Sequence, residues 1–205
     1  MIPVSEARAK ILAGARLLPG EVVPVAAGLG RVLAEDLTAR VTQPPLAVSA
    51  MDGYAVRAAD VATVPATLEE IGRVPAGGLF DGRVGPGQCV RIFTGAPLPE
   101  GTDAIVIQED TRVEGGRIEV RESAPAGRYV RPAGLDFEAG AVGLPAGKRL
   151  TARDVGLAAA MNRPWLPVRR RPRVAVLATG DEIVMPGDPL APGHIVSSNA
   201  LALLA

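Results

Sequence analysis

Apolar and polar positions change texture three times along the chain, and each change predicts a different kind of element. Near the N-terminus Ile11 and Leu12 follow Ala7 and Arg8 at helical spacing. This predicts a helix that Ser5 caps and Pro19-Gly20 ends. Leu29, Val32, Leu33 and Asp36 predict a second short helix. From Gln43-Pro44-Pro45 to about Asp136 the apolar runs shorten, and Gly and Pro separate them. Gly53 to Val56, Gln88 to Ile92, Asp103 to Ile107 and Arg117 to Val120 read as strands of an all-β unit, with Val113 to Arg117 as a hairpin turn. Helical signals return at Thr151-Ala152-Arg153-Asp154, a capping-box pattern backed by Val155, Leu157, Ala158 and Ala159. Asn162 is placed to end that helix in a left-handed conformation, and Pro164 prevents its continuation.

Beyond a basic connector, Arg169 to Arg173, Val174-Ala175-Val176-Leu177-Ala178 is a continuous apolar run of the kind buried on both faces of a parallel sheet. The polar loop Thr179-Gly180-Asp181-Glu182 follows, and Ser197-Ser198-Asn199 reads as a capped helix start. The pattern is the opening β-loop-α of an α/β domain. One strand and one helix cannot cover a parallel sheet, so this domain is expected to be incomplete, and an unpaired run at Val174 to Ala178 to be aggregation-prone.

Composition narrows the function. The 205 residues are 48% hydrophobic but only 3% aromatic, so the cores must be aliphatic. Lys+Arg and Asp+Glu are both 22, which argues against a general nucleic-acid binder. Lys10 and Lys148 are the only lysines. No apolar run reaches the ~18 residues of a membrane span, and the start lacks signal-peptide features. The single cysteine, Cys89, excludes an intrachain disulfide and reads as a buried small hydrophobe; a cytoplasmic location fits. His194 is the only histidine, so a typical zinc site is excluded.

Four segments could carry chemistry. Asp52 follows two stiffening prolines and precedes Gly53, in an Asp-Gly pair that permits a sharp turn and would present its carboxylate rigidly. Thr94 closes a strand, and Gly95 beside it would let an oxyanion approach the hydroxyl. Asp136 sits in the glycine-rich turn Gly134 to Gly140. Asp181 and Glu182 follow the apolar run, where an open α/β sheet gathers ligands, and together could hold Mg²⁺ with part of its water. Thr179, Gly180, Ser198 and Asn199 flank them, the last two offering backbone N–H groups to a phosphate. Taken singly, each segment also reads as an ordinary turn or strand-to-loop junction.

In order, Ser49-Ala50-Met51-Asp52-Gly53-Tyr54-Ala55, Thr94-Gly95-Ala96-Pro97, Asp136, Arg173 to Glu182 and Gly193 to Asn199 resemble the MoeA/gephyrin family over essentially the whole chain. The resemblance implies an α+β multidomain fold. Residues 1–45 and 137–170 would form a helical or mixed linker domain, 46–136 an inserted all-β domain, and 171–205 the truncated start of an α/β molybdopterin-binding domain. It also implies a molybdopterin molybdenumtransferase, which takes adenylylated molybdopterin and molybdate with Mg²⁺ and releases molybdenum cofactor and AMP. A homodimer is implied as well, with Asp52, Thr94 and Asp136 serving the partner's site and Glu182 its own α/β domain. Leu46-Ala47-Val48 departs from the aromatic and polar residues usual before Ser49. The family's α/β domain continues beyond the position of Ala205, so the chain alone is expected to lack a complete site. The alternative from another class is a non-catalytic dimerisation or scaffold module. A pterin- or nucleotide-cleaving relative sharing only the α/β domain is disfavoured by Met51 to Tyr54.

Overall fold

The structure is a computed structural model that describes residues 2–205. In chain order the elements are α1 (Val4–Ala13), β1 (Gly20–Pro24), β2 (Leu37–Thr38), β3 (Val48–Ser49), β4 (Gly53–Val56) and β5 (Ala66–Val74). There follow β6 (Gln88–Ile92), β7 (Ala104–Ile107), β8 (Thr111–Glu114), β9 (Arg117–Val120), β10 (Val130–Arg131) and β11 (Val142–Leu144). The last are α2 (Ala152–Ala160), β12 (Trp165–Arg169), β13 (Ile183–Val184), β14 (Ile195–Val196) and α3 (Ser198–Leu204). Two compact units result, Glu21–Val168 and Met1–Gly20 with Arg169–Ala205. The fold is a mixed α/β one, rich in sheet and poor in helix. Among the described residues no helix is long and apolar enough to cross a membrane.

The larger unit is built on a six-stranded sheet of order β7-β4-β6-β5-β9-β8. All its ladders are antiparallel except β5 with β6. Strand alternation sends successive side chains to opposite faces. Tyr54, Val56, Cys89, Val106 and Ile118 fill one face, and Ala55, Val90, Ile92 and Ile105 the other. Both faces are covered along β4 and β7, which is why those strands read as continuous apolar runs. The hairpin turn is Gly115-Gly116, both at positive φ, as a tight two-residue connection requires. The longest strand, β5, escaped the sequence reading because Glu69, Glu70 and Gly72 interrupt its apolar pattern.

A separate core draws on both ends of this unit: Leu33, Leu37 and Ala39 pack with Leu144, Leu150, Ala158, Met161, Leu166 and Val168. Each fully buried Leu there contributes roughly 1.5–3 kcal/mol. α2 forms as the capping box predicts. Thr151 Oγ1 accepts from the Asp154 N–H at 3.4 Å, and Asp154 Oδ2 accepts from the Thr151 N–H at 2.8 Å. Asn162 adopts φ 59° just past its end, as expected.

The helix expected across Leu29 to Asp36 does not form. Val32 and Leu33 instead bridge Arg149 and Val168, and Leu37 begins β2. A helix of two turns stabilises itself poorly, and extended backbone here seats Leu33 and Leu37 in the core.

In the smaller unit α1 starts two residues earlier than expected. Pro3, not Ser5, precedes it without a side-chain cap, and it ends at Ala13, well before Pro19. Val4, Ile11 and Leu12 are exposed. Val174 to Ala178 is not a strand: it joins no ladder, and Val174 and Leu177 are 71% and 85% exposed. A strand needs a neighbour to satisfy its backbone, and the parallel ladder of this unit joins β13 to β14 instead. α3 begins at Ser198 as expected, but Ser197 makes no side-chain cap.

Candidate functional site

The ladder between β4 and β6 determines where the first two candidates meet. Gly53 lies opposite Ile92. One step beyond the ladder, Asp52 comes level with the turn after β6, and the contact is direct. Thr94 donates twice to Asp52 Oδ1, from its backbone N–H and from its Oγ1 hydroxyl, each at 2.8 Å. Those two donations, the backbone one foremost, hold the Asp52 carboxyl below the ordinary carboxylate range, and the Arg91 guanidinium adds to them. Both bonds land on Oδ1, so Oδ2 is open to a further donor. The Asp52 carbonyl accepts the Gln108 N–H at 3.1 Å.

Asp-Gly does not act here as a turn pair. The bend lies at residues 50–52, and Gly53 is the first residue of β4. Glycine is required there for space: a Cβ would lie 2.0 Å from the Val106 carbonyl oxygen. The bend is held from behind. Ser49 is buried, and its Oγ donates to the Met51 carbonyl at 2.6 Å. The Ala50 N–H donates to the carbonyl of Tyr129, which sits at φ 56°. A tyrosine in the left-handed region costs about 1–3 kcal/mol, which its surroundings must supply.

Asp136 reaches the same frame by another route. β3 pairs with β10, Ser49 opposite Val130 and Val48 opposite Arg131. Ser49 also exchanges backbone bonds with the Thr94 loop: its carbonyl accepts from Gly95 at 2.8 Å, and its N–H donates to Ala96 at 2.9 Å. Arg131 then donates to both Asp136 carboxylate oxygens, at 3.1 and 3.3 Å. The Asp136 backbone is tied to Gln43 at 2.9 Å. Gly95, Arg131 and Asp136 thus line one groove of about 430 Å³, with Leu46 and Leu79 among its apolar wall. Leu46, within the segment that departs from the family pattern, faces this groove; Ala47 contributes a carbonyl to the Leu98 N–H.

Sequence reasoning missed Arg131 and Arg91. Arg131 ends the two-residue strand β10, with no motif around it. Arg91 does carry a signal, a cation in the otherwise apolar run Gln88 to Ile92.

The remaining candidates belong to the smaller unit. Thr179, Ser198 and Asn199 line a cleft of about 300 Å³ with Val176, Leu177 and Ile195. Gly180, Asp181 and Glu182 are outside its wall. The Glu182 carboxylate folds back over Gly180, where a Cβ would come within 2.5 Å of it. Neither Asp181 nor Glu182 has an ion-pair partner among the described residues. No group of three His, Cys, Asp or Glu able to hold a metal occurs among the described residues.

A model of the MoeA N-terminal region, domains I and II, matches residues 2–162. The chain belongs to the MoeA family. The molybdopterin molybdenumtransferase of a Nostoc species is 43% identical over 189 residues, covering 90% of this chain and 43% of that protein. The Bacillus subtilis molybdopterin molybdenumtransferase is 37% identical over 212 residues, covering 100% of this chain and 49% of its own length. Two crystal structures of the Pyrococcus horikoshii molybdopterin biosynthesis MoeA protein align over 99% of the chain, at TM-scores of 0.82 and 0.93 and identities of 36% and 32%. The chain covers 53% and 55% of those structures. It therefore spans about half the length of the relatives it matches.

Proposed function

We propose that this MoeA chain serves molybdenum cofactor synthesis as part of a molybdopterin molybdenumtransferase. Adenylylated molybdopterin and molybdate would be its substrates, and AMP a product. The observation that carries the reading is the Asp52–Thr94 pair, linked through β3 to the groove of Arg131 and Asp136, in a chain whose residues 2–162 match the family's N-terminal region. Asp52 is ionised at neutral pH, and its Oδ2 is available to orient a water for cleavage of the adenylate phosphate bond. Molybdate is an anion, and carboxylates alone would repel it. Arg131 is the cation the groove offers, with one face committed to Asp136.

Asp181 and Glu182 suit a Mg²⁺ ion that keeps most of its water, because both are exposed acids without an ion-pair partner among the described residues. Bound there, the ion would neutralise phosphate charge. Thr179, Ser198 and Asn199 would contact the pterin substrate. The same reading divides the chain into 1–45 with 137–170, 46–136, and 171–205. The separation of the Leu33–Val168 core from the two faces of the six-stranded sheet supports the first of those divisions. A homodimer and a cytoplasmic setting belong to the reading too. No observation favours the scaffold alternative.

The test is AMP release and cofactor formation by the product of the complete reading frame, supplied with adenylylated molybdopterin, molybdate and Mg²⁺. Asp52→Asn should lower AMP release by about 100-fold or more. A product that neither turns over nor binds either substrate would sink the assignment.

A further inference from the structure

Arg91 is the one strongly interacting cation on the six-stranded sheet to which the proposed chemistry gives no task. It lies on β6, opposite Tyr54 of β4 and beside Arg73 of β5. Its surroundings are unusually complete. The guanidinium stands 5.1 Å from the centre of the Tyr54 ring and 5.0 Å from that of Phe93. One nitrogen donates to the Gly53 carbonyl at 3.1 Å, and the other donates to Gln108 Oε1 at 2.5 Å. The sequence positions of these partners matter more than their number. Gly53 adjoins Asp52, and Phe93 adjoins Thr94. Gln108 is the residue whose N–H holds the Asp52 carbonyl. One planar cation therefore touches the chain beside each half of the Asp52–Thr94 pair, and the residue that anchors Asp52 from the third side. A surface arginine placed only for solubility would not be fixed by two hydrogen bonds and two rings, since ordering its side chain costs about 1.5–2 kcal/mol.

We infer that Arg91 is a positioning residue, a clamp that fixes Asp52 against Thr94 by holding Gly53, Phe93 and Gln108 around one guanidinium. This rests on the functional reading above only for its catalytic consequence. A planar fork with two donors is what the geometry uses, and an ammonium cannot replace it. The other charged groups near the clamp are Glu109, whose Oε1 accepts from Gln108 Nε2 at 3.2 Å, and Glu70 and Arg73 on β5, which also act on Tyr54. The β5 pair flanks β6 on the side away from β4.

The experiment is an NMR comparison of this chain with Arg91→Met, Arg91→Lys and Gln108→Ala. It follows two signals, hydrogen exchange of the Thr94 amide and titration of the Asp52 side-chain carboxyl carbon. Arg91→Met should speed Thr94 exchange at least tenfold and move the Asp52 midpoint upward. Arg91→Lys keeps the charge and loses the fork, so it should speed exchange as well. Gln108→Ala leaves the sheet beneath untouched and should do the same to a smaller degree, which keeps the test open if Arg91→Met fails to fold. Unchanged Thr94 exchange and an unchanged Asp52 midpoint in a folded Arg91 variant would overturn the inference. In the product of the complete reading frame, Arg91→Lys should lower kcat about tenfold with KM held. Failure of the unmutated product to turn over would count against the function and leave the NMR comparison standing.

Discussion

Gly53→Ala puts one methyl group where the structure leaves no room. The new Cβ would sit 2.0 Å from the Val106 carbonyl oxygen and 2.9 Å from Ile107 Cα. Restoring an ordinary 3.4 Å contact moves β7 away from β4 by about 1.4 Å at that level. β7 is an edge strand and can move, but Gly53 opposite Ile107 is the end of its ladder and the Gln108 N–H bond to Asp52 is next in line. Overpacking costs about 1–3 kcal/mol, and a lost hydrogen bond adds roughly 1 kcal/mol. The lower chain entropy of alanine returns about 0.5–1 kcal/mol. The net is about 1–3.5 kcal/mol of destabilisation. In a unit the size of Glu21–Val168 that lowers Tm by about 2–14 °C. Circular dichroism melts of wild type and Gly53→Ala measure it directly. The same displacement draws the Gln108 N–H away from the Asp52 carbonyl, on the side of β4 opposite the Thr94 contact. A melt within about 1 °C of wild type would refute the claim that close strand approach is what requires this glycine.

Three further outcomes are expected. Asn162→Ala should cost about 1–2 kcal/mol, because alanine tolerates φ 59° poorly, whereas Asn162→Gly should match or exceed wild type in the same melts. Acid should destabilise the fold. The carboxyls of Asp52 and Asp154 are held below their usual value of 3.8, Asp154 at about 2 by Lys148 and by the Thr151 bonds. Such groups contribute stability that is full above 3.8 and is lost as pH falls through the folded-state value. Tm measured from pH 6 to pH 2 should therefore drop mainly below about pH 4, less so in Asp154→Asn; a flat profile would contradict the bonding assigned to both groups. Cys89 is fully buried and its thiol is pushed up to about 12, so a thiol reagent should label it only as fast as the chain unfolds; prompt labelling at pH 8 would disprove its burial.

What the sequence made legible, and what it did not, follows from how far each feature depends on its own neighbours. The capping box, the left-handed Asn162 and the Gly115-Gly116 hairpin are local, and each formed as its residues dictate. Four strands of the sheet were found within a residue of their true limits, β4 and β7 because both faces are apolar and β9 because its apolar positions alternate. The run Val174 to Ala178 has the same texture and forms no strand, because texture supplies burial preference and a ladder supplies the strand. Leu29 to Asp36 erred the other way: its spacing suits a helix, but Val32 and Leu33 found backbone partners more than a hundred residues along.

The candidate site divides along the same line. Motif order pointed to Asp52, Thr94 and Asp136 one at a time, and nothing in any of the three segments says that they meet. Their meeting is a consequence of register. Once Gly53 lies opposite Ile92, Asp52 falls level with Phe93, and the turn at Thr94 and Gly95 brings a hydroxyl and an N–H to its carboxylate across 42 positions of sequence. Once Ser49 lies opposite Val130, Arg131 arrives beside the same loop and takes Asp136 with it. A one-residue slip in either ladder would turn those side chains to the other face and separate the pairs while leaving every motif in the sequence intact. The two arginines were hard to read for that reason: Arg131 has no pattern of its own, Arg91 shows only as a cation in an apolar run, and the significance of both lies in which carbonyl, ring or carboxylate the register brings within reach.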